Sequence, residues 1–379
     1  MKRYILSALA MLAMITFVGC DSDRDSNPIL TPPTEFVLNT PKYVNATYDL
    51  ADTESILLTC SQPDYGYAAP ATYEVIVSAS GDFTDAITLP TTYQSARMDV
   101  HAQELAVALV TQLNVSTAEE FPTTAFPVYL QLKSSIKGIP GETEILSNII
   151  MLPSVKSYFA LEEMSLPTEM FIIGDFYAWD WEKAAGMVPV NGNPDKFWVM
   201  TYIGEGQGIK FNTVRLWNGT QFGGGDNVTI NTREGFTHSI NGDGNIVMDK
   251  AGWHLIMLTV AIEGRDYVYT VDFLEPNVYV FGAANGGIWA SDPAWKCEVP
   301  ADGAGEFVSP ALVATPGTEA DGSLRLCVEL PDIDWWRSEF IIFGEVITYR
   351  ATGGDQERVG NGDGQKVYLN FLTNQGRIE

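Results

Sequence analysis

The chain has 379 residues, 46% of them apolar, with a formal net charge of −26 and a pI near 4.3. That length exceeds one ordinary domain, and that apolar content excludes a disordered chain. So acidic a surface repels phosphate backbones, which argues against a nucleic-acid partner and leaves neutral ligands such as sugars unobstructed.

The first element is a targeting segment. Lys2 and Arg3 precede an apolar run over residues 5–18, too short for a comfortable membrane span, which ends at Phe17-Val18-Gly19-Cys20. A small residue directly before a cysteine is the pattern of a bacterial lipoprotein signal, with Phe17 standing where leucine is usual. The expectation is lipidation of Cys20 once residues 1–20 have served as the leader. Asp21-Ser22-Asp23-Arg24-Asp25 follows. Acidic residues there resemble the export signal of Gram-negative lipoproteins sent to the outer face of the outer membrane, and they also suit a solvated tether. No second apolar stretch of spanning length follows, so the mature chain is expected to be anchored rather than spanning.

Residues 21–33, with Pro28, Pro32 and Pro33, read as that tether. The composition beyond it is all-β: 34 glycines, 20 prolines and short runs of Val, Ile, Thr, Tyr and Phe. Over residues 34–153, strands are predicted at 55–60, 72–80, 127–134 and 148–152. One helix is predicted at 101–113, from Leu105, Ala108, Leu109 and Gln112 at helical spacing. This unit reads as an immunoglobulin- or fibronectin-like sandwich serving as a spacer. A linker is expected at 154–167, with a short helical stretch at 158–164.

Two repeats follow, over 168–275 and 276–379. The first opens Met170-Phe171-Ile172-Ile173-Gly174-Asp175 and the second Val278-Tyr279-Val280-Phe281-Gly282-Ala283. Seven residues after each glycine stands a tryptophan, Trp181 and Trp289. Later each repeat carries Asn-Gly-Asp-Gly, Asn241 to Gly244 and Asn361 to Gly364, and then a strand. Further strands are predicted at 197–203, 254–262 and 267–273 in the first repeat, and at 324–330, 340–349 and 366–372 in the second. The fold class expected is therefore all-β, with three tandem β-sandwich domains.

All nine tryptophans lie between Trp179 and Trp336, within the two repeats. Trp198 and Trp253 sit in strand-like runs and read as core. Of the pair Trp335-Trp336, alternation allows one in and one out, and Trp336 is taken as the ligand contact. Trp179 and Trp181 share a side if their loop is extended. Alternation also places Lys210 outward, opposite in sense to Ile209 and Phe211, and Arg325 outward between Leu324 and Leu326. An early loop Trp, an outward cation and a later Trp suit a sugar. A pyranose stacks its C–H face on an aromatic ring, and its hydroxyls accept hydrogen bonds from Lys or Arg.

These features together resemble one family. The lipoprotein signal, the Phe36-Val37-Leu38-Asn39 opening, the Gly174 and Gly282 units, the Asp334-Trp335-Trp336-Arg337-Ser338-Glu339-Phe340 segment and the Tyr349-Arg350 step look like the SusE/SusF family of outer-membrane starch-binding lipoproteins. The resemblance spans essentially the whole chain, and the C-terminal Trp-Trp segment is its most telling part. It implies a lipid-anchored cell-surface protein that binds starch and malto-oligosaccharides (α-glucans) without hydrolysing them, with SusC/SusD-like import proteins as partners. It also implies a non-binding N-terminal domain and one site in each later domain. Carried over, the second repeat supplies Trp295, Arg325, Trp336 and Arg350, and the first supplies Trp181, Lys210 and Trp217; the early loop Trp289 joins the second set from the reading of the residues alone. The first set is less complete, because it lacks the double Trp and a counterpart of Arg350. An assembly or structural lipoprotein of an outer-membrane glycan import complex, or a binder of another glycan, is the alternative reading.

Catalysis and cofactors find no support. With 48 acidic residues, chance carboxylate pairs are unavoidable and no spacing marks one as a glycosidase pair. His101, His238 and His254 stand far apart, and no nucleophile elbow, zinc motif or phosphate loop is present. The Asp-Gly steps at Asp243 and Asp363 lack the remaining ligands of a calcium loop and read as hairpin turns. Besides Cys20 there are Cys60, Cys297 and Cys327. Cys297 and Cys327 could pair in an oxidising compartment, while the odd total suits buried free thiols equally well.

Overall fold

A computed structural model describes residues 29–319 and 321–379. The expected leader, Cys20 and the first part of the tether lie outside the described residues. The chain divides into two compact units, one ending at Glu163 and the other running from Met164 to Glu379.

The N-terminal unit comprises β1 (Tyr48–Asp49), β2 (Ser55–Thr59), β3 (Ala71–Ser78), β4 (Ile87–Tyr93), β5 (Arg97–His101), α1 (Ala102–Leu113), β6 (Phe126–Ile136), α2 (Pro140–Thr143), β7 (Ile145–Leu146) and β8 (Ile150–Lys156). One sheet runs β1-β8-β6-β3-β4, with β7 on β6, and β2 pairs with β5. Alternation builds the core: Tyr73, Val75 and Val77 of β3 and Val128, Leu130 and Leu132 of β6 point inward, against Ile56, Leu58, Met98 and Val100 of the small sheet. Leu105, Ala106, Ala108 and Leu109 of α1 close that core. The helix stops at Asn114, whose φ of +50° is a left-handed cap that asparagine tolerates.

Residues 158–164 are not helical, contrary to expectation. Tyr158 and Ala160 pack against the core, the Phe159 ring meets Phe121 edge-on, and Glu163 accepts a hydrogen bond from the Ala118 N–H at 3.0 Å. Tertiary packing holds the segment as an irregular strap and overrides its helical pattern.

In the C-terminal unit the first module comprises β9 (Phe171–Gly174), β10 (Ala185–Gly186), β11 (Val188–Val190), β12 (Asn193–Ile203), β13 (Gly208–Asn212), β14 (Val228–Thr232), β15 (His238–Ile240), β16 (Ile246–Met248), β17 (Gly252–Glu263) and β18 (Asp266–Leu274). Sheets β10-β9-β13-β16-β15 and β11-β12-β17-β18-β14 face each other across Ile172, Ile209, Phe211, Phe197, Ile256, Leu258 and Phe273. The second module comprises β19 (Tyr279–Phe281), β20 (Phe307–Val308), β21 (Arg325–Cys327), β22 (Glu339–Phe343), β23 (Val346–Tyr349), β24 (Val367–Asn370) and β25 (Gln375–Ile378), in one sheet of order β19-β21-β22-β23-β25-β24-β20.

The two modules share a core. Trp198 and Met200 of β12 and Trp253, Leu255 and Met257 of β17 point away from the first module's interior. They pack with Val280, Phe307, Leu326, Phe340, Ile342 and Leu369 of the second. The near-continuous apolar run of β17 follows from this, because both its faces are buried. Trp198 and Trp253, 1% and 2% exposed, are core as expected.

Two local expectations change. Residues 340–349 form a hairpin, not one strand. Gly344 and Glu345, at φ +59° and +66°, make the tight turn between β22 and β23. The first Asn-Gly-Asp-Gly is a hairpin turn between β15 and β16, closed by Gly244 N–H donating to the Asn241 carbonyl at 2.9 Å. The second is a turn at the entrance to β24, where Asn361 pairs with Thr315 and the Gly364 N–H reaches the Leu312 carbonyl. Cys60, Cys297 and Cys327 are all buried free thiols. Burial pushes the Cys297 thiol up to about 12, so it stays protonated and unreactive.

Candidate functional site

The two modules place a cation at the same register position. Lys210 of β13 lies opposite Ile173, the residue before Gly174. Arg325 of β21 lies opposite Phe281, the residue before Gly282. Each cation projects from the sheet face turned away from its core, among tryptophans.

In the first module, Ala178 and Trp179 sit at φ +51° and +58°. This left-handed step lays the Trp179 ring over Gly208, which shares a face of β13 with Lys210. Asp175 fixes the arrangement. It accepts from Trp179 Nε1 at 3.0 Å and from the Gly208 N–H at 2.6 Å. Trp181 is buried against Ile173 and Ala184, and Trp217 meets it edge-on at 5.3 Å. Trp217 is 52% exposed and lies 6.4 Å from Trp179. The loop carrying it is held by Asn212 Nδ2 donating to the Leu216 carbonyl. Lys210 is half-buried, and its Nζ donates to the Asp243 carbonyl at 2.7 Å, so the first Asn-Gly-Asp-Gly turn holds this cation.

In the second module, Trp289, Asp321, Arg325, Trp335, Trp336, Glu339, Arg350 and Asp355 line an open cleft of about 420 Å³. Trp335 stacks on Phe281 at 5.0 Å and lies 5.4 Å from Trp289. Trp289 is 43% exposed and rests on Gly282, whose φ is +75° and whose Cβ, if present, would lie 2.8 Å from the indole. Only glycine fits there. The Trp336 ring lies under two guanidinium groups, Arg337 at 4.4 Å and Arg350 at 4.7 Å. Trp295 packs against the core shared by the modules rather than lining this cleft.

Arg325 was expected to point to solvent. It is on the outer face but only 6% exposed, because carboxylates cover it: Glu339 at 2.8 Å and Asp355 at 3.0 Å. Glu339 is itself buried and also faces Arg350 at 3.7 Å. Burial pushes the Glu339 carboxyl up, against the pull of Arg325 and Arg350. A hydrogen bond from Arg358, together with Arg325, holds Asp355 well below the usual carboxylate range.

The cleft therefore contains residues that sequence reasoning had not selected, chiefly Trp335 and Glu339, as the first module's cluster contains Trp179. Alternation could not find them. Residues 335–337 form a 3₁₀ turn, in which neighbouring rings need not take opposite faces. Trp179 is aimed by its left-handed backbone. The available signal was the bare proximity of the paired tryptophans.

Residues 169–270 and 277–377 each match the model of the SusF/SusE starch-specific CBMs, and residues 22–132 match that of the SusE outer membrane protein. The chain belongs to the SusE/SusF family. The SusE/SusF repeats are non-catalytic carbohydrate-binding modules, and the family comprises outer membrane proteins. The chain is 37% identical over 231 residues to the outer membrane protein SusF of Bacteroides thetaiotaomicron, covering 58% of this chain and 45% of SusF. It thus spans less than half the length of that relative in the alignment. The crystal structure of SusF from Bacteroides thetaiotaomicron aligns with a TM-score of 0.49 and 20% identity, over 91% of this chain and 100% of that one.

Proposed function

We propose that this protein is a lipid-anchored lipoprotein of the outer cell surface that captures starch and malto-oligosaccharides for an outer-membrane import system. It binds through one aromatic-plus-cation site in each module and carries out no reaction. The observation that supports this reading most is the repeated pairing of a cation, Lys210 or Arg325, with a tryptophan cluster on the outer face. The first site consists of Trp179, Trp217 and Lys210, with Trp181, expected as a contact, instead buried beneath Trp217 as its support. The second consists of Trp289, Trp335, Trp336, Arg325 and Arg350.

The chemistry follows from the ligand. Exposed indole faces take the apolar face of a glucose ring, and rings held at an angle to each other suit a chain that curves. Trp179 and Trp217 are inclined by 35°, and Trp289 and Trp335 by 45°. Lysine and arginine N–H groups donate to hydroxyls without requiring a charged ligand, which matters for a chain this acidic. Cys20 supplies the anchor, and SusC/SusD-like import proteins are the expected recipients of the glycan. Affinity electrophoresis through gels containing amylopectin, dextran or xylan tests the reading. Retardation by amylopectin alone is expected, and unretarded migration in amylopectin contradicts it.

A further inference from the structure

The outer face of the second module carries a row of three charged residues from adjacent strands. Arg325 stands on β21, Glu339 opens β22, and Arg350 follows β23. Backbone pairing sets their order: Glu339 lies opposite Cys327, two residues from Arg325 on the same face, and the Arg350 N–H donates to the Glu339 carbonyl at 3.0 Å. The Glu339 side chain is 1% exposed, and its Oε1 faces Arg325 at 2.8 Å and Arg350 at 3.7 Å. Its Oε2 and the Arg350 Nε are both buried without a hydrogen-bond partner.

A carboxylate buried this deeply is poor value for stability, because desolvating charges offsets most of what their pairing returns. An apolar residue would pack the same floor at less cost. The site nevertheless needs two guanidinium groups close together, and two like charges side by side repel unless an anion lies between them. In the first module the cations are held differently: Lys210 donates to a backbone carbonyl, and Arg215 lies over the Phe171 ring at 4.7 Å.

We infer that Glu339 is the positioning residue of the second site, a single buried carboxylate that holds Arg325 and Arg350 together at the floor of the cleft so that both face the same sugar. This rests on the glucan-binding reading above. Glu339 acts through the two arginines and is not itself assigned a sugar contact.

The test is titration calorimetry with maltoheptaose on the full chain in a Trp217→Ala background, which leaves the second site as the binding site. Glu339→Gln keeps the shape and removes the charge, and Glu339→Asp keeps the charge but withdraws it by one methylene. Positioning by charge predicts at least a tenfold weaker Kd for glutamine and about threefold for aspartate. A purely packing role predicts the reverse order, because glutamine fills the space better. Glutamine binding at the parent's affinity, or more tightly than aspartate, overturns the inference. If the glutamine variant does not fold, the aspartate variant decides: weakened binding with an unchanged urea midpoint supports the inference, and binding at the parent's affinity, or weakened binding that comes with a lowered midpoint, overturns it. Trp336→Ala in the same background separates the two levels. If that variant also binds like its parent, the glucan reading of this site has failed. If it has lost binding while Glu339→Gln has not, only the positioning role has failed.

Discussion

Tryptophan serves two opposite purposes in this chain, and burial separates them. Trp198 fills the core shared by the two modules, edge-on to Tyr349 at 5.4 Å. Trp198→Ala should cost about 3–5 kcal/mol, read from urea denaturation. Trp336 is half-buried under Arg337 and Arg350, so Trp336→Ala should leave the denaturation midpoint nearly unchanged while abolishing maltoheptaose binding at the second site. A large loss of stability in that variant would mark the residue as core. His254 makes a prediction of its own. It is fully buried, edge-on to Phe236 and Phe273, and burial together with nearby Arg233 lowers its pKa to about 4, with Asp249 opposing. The unfolded chain binds this proton near pH 6.5 and the folded chain does not. The stability contributed by the neutral ring is therefore complete above pH 6.5 and is lost progressively as pH falls toward 4, by roughly 3 kcal/mol in all. Urea midpoints at pH 7 and pH 5 should differ in that sense, and less so in His254→Phe.

At the scale of elements, each site hangs on a loop that the sheet alone does not specify. Gly282 is the clearest case, because its positive φ and the indole resting on it both exclude a side chain. Gly282→Ala should displace Trp289 and weaken second-site binding severalfold, at a cost of about 1–3 kcal/mol in stability. Unchanged binding would show that Trp289 does not contribute. The same distinction explains what was legible in the sequence. Strands with one buried face, such as β3 and β6, announced themselves through alternation. The repeat glycines marked equivalent strands, and the register then put Lys210 and Arg325 in equivalent places. The hairpin at Gly344-Glu345 was passed over because its two strands are short and apolar on both sides of the turn. Residues 158–164 had a helical pattern but are held by contacts made with distant residues. The burial of Trp181 and of Arg325 depends on neighbours brought in by loops, Trp217 in one case and Asp355 in the other. Spacing along one strand carries no record of such neighbours.

At the scale of the molecule, the middle sheet has two interiors. Trp198, Met200, Trp253, Leu255 and Met257 would be laid bare if the second module were removed. A fragment of residues 164–276 should therefore aggregate or bind a hydrophobic dye, whereas residues 164–379 should unfold in a single calorimetric transition. Two separate transitions would show that the shared core couples the modules weakly. On the proposed two-site reading, both sites sit on these joined modules, and binding of a polymer at one should raise the effective concentration of glucan at the other without any new contact. Titration calorimetry with maltoheptaose, which is short enough to count sites, tests the two-site arrangement most directly. The expected stoichiometry is two per chain, falling to one in Trp217→Ala and in Trp336→Ala and to no binding in the double variant. Binding by the double variant at the affinity and stoichiometry of the parent would contradict it.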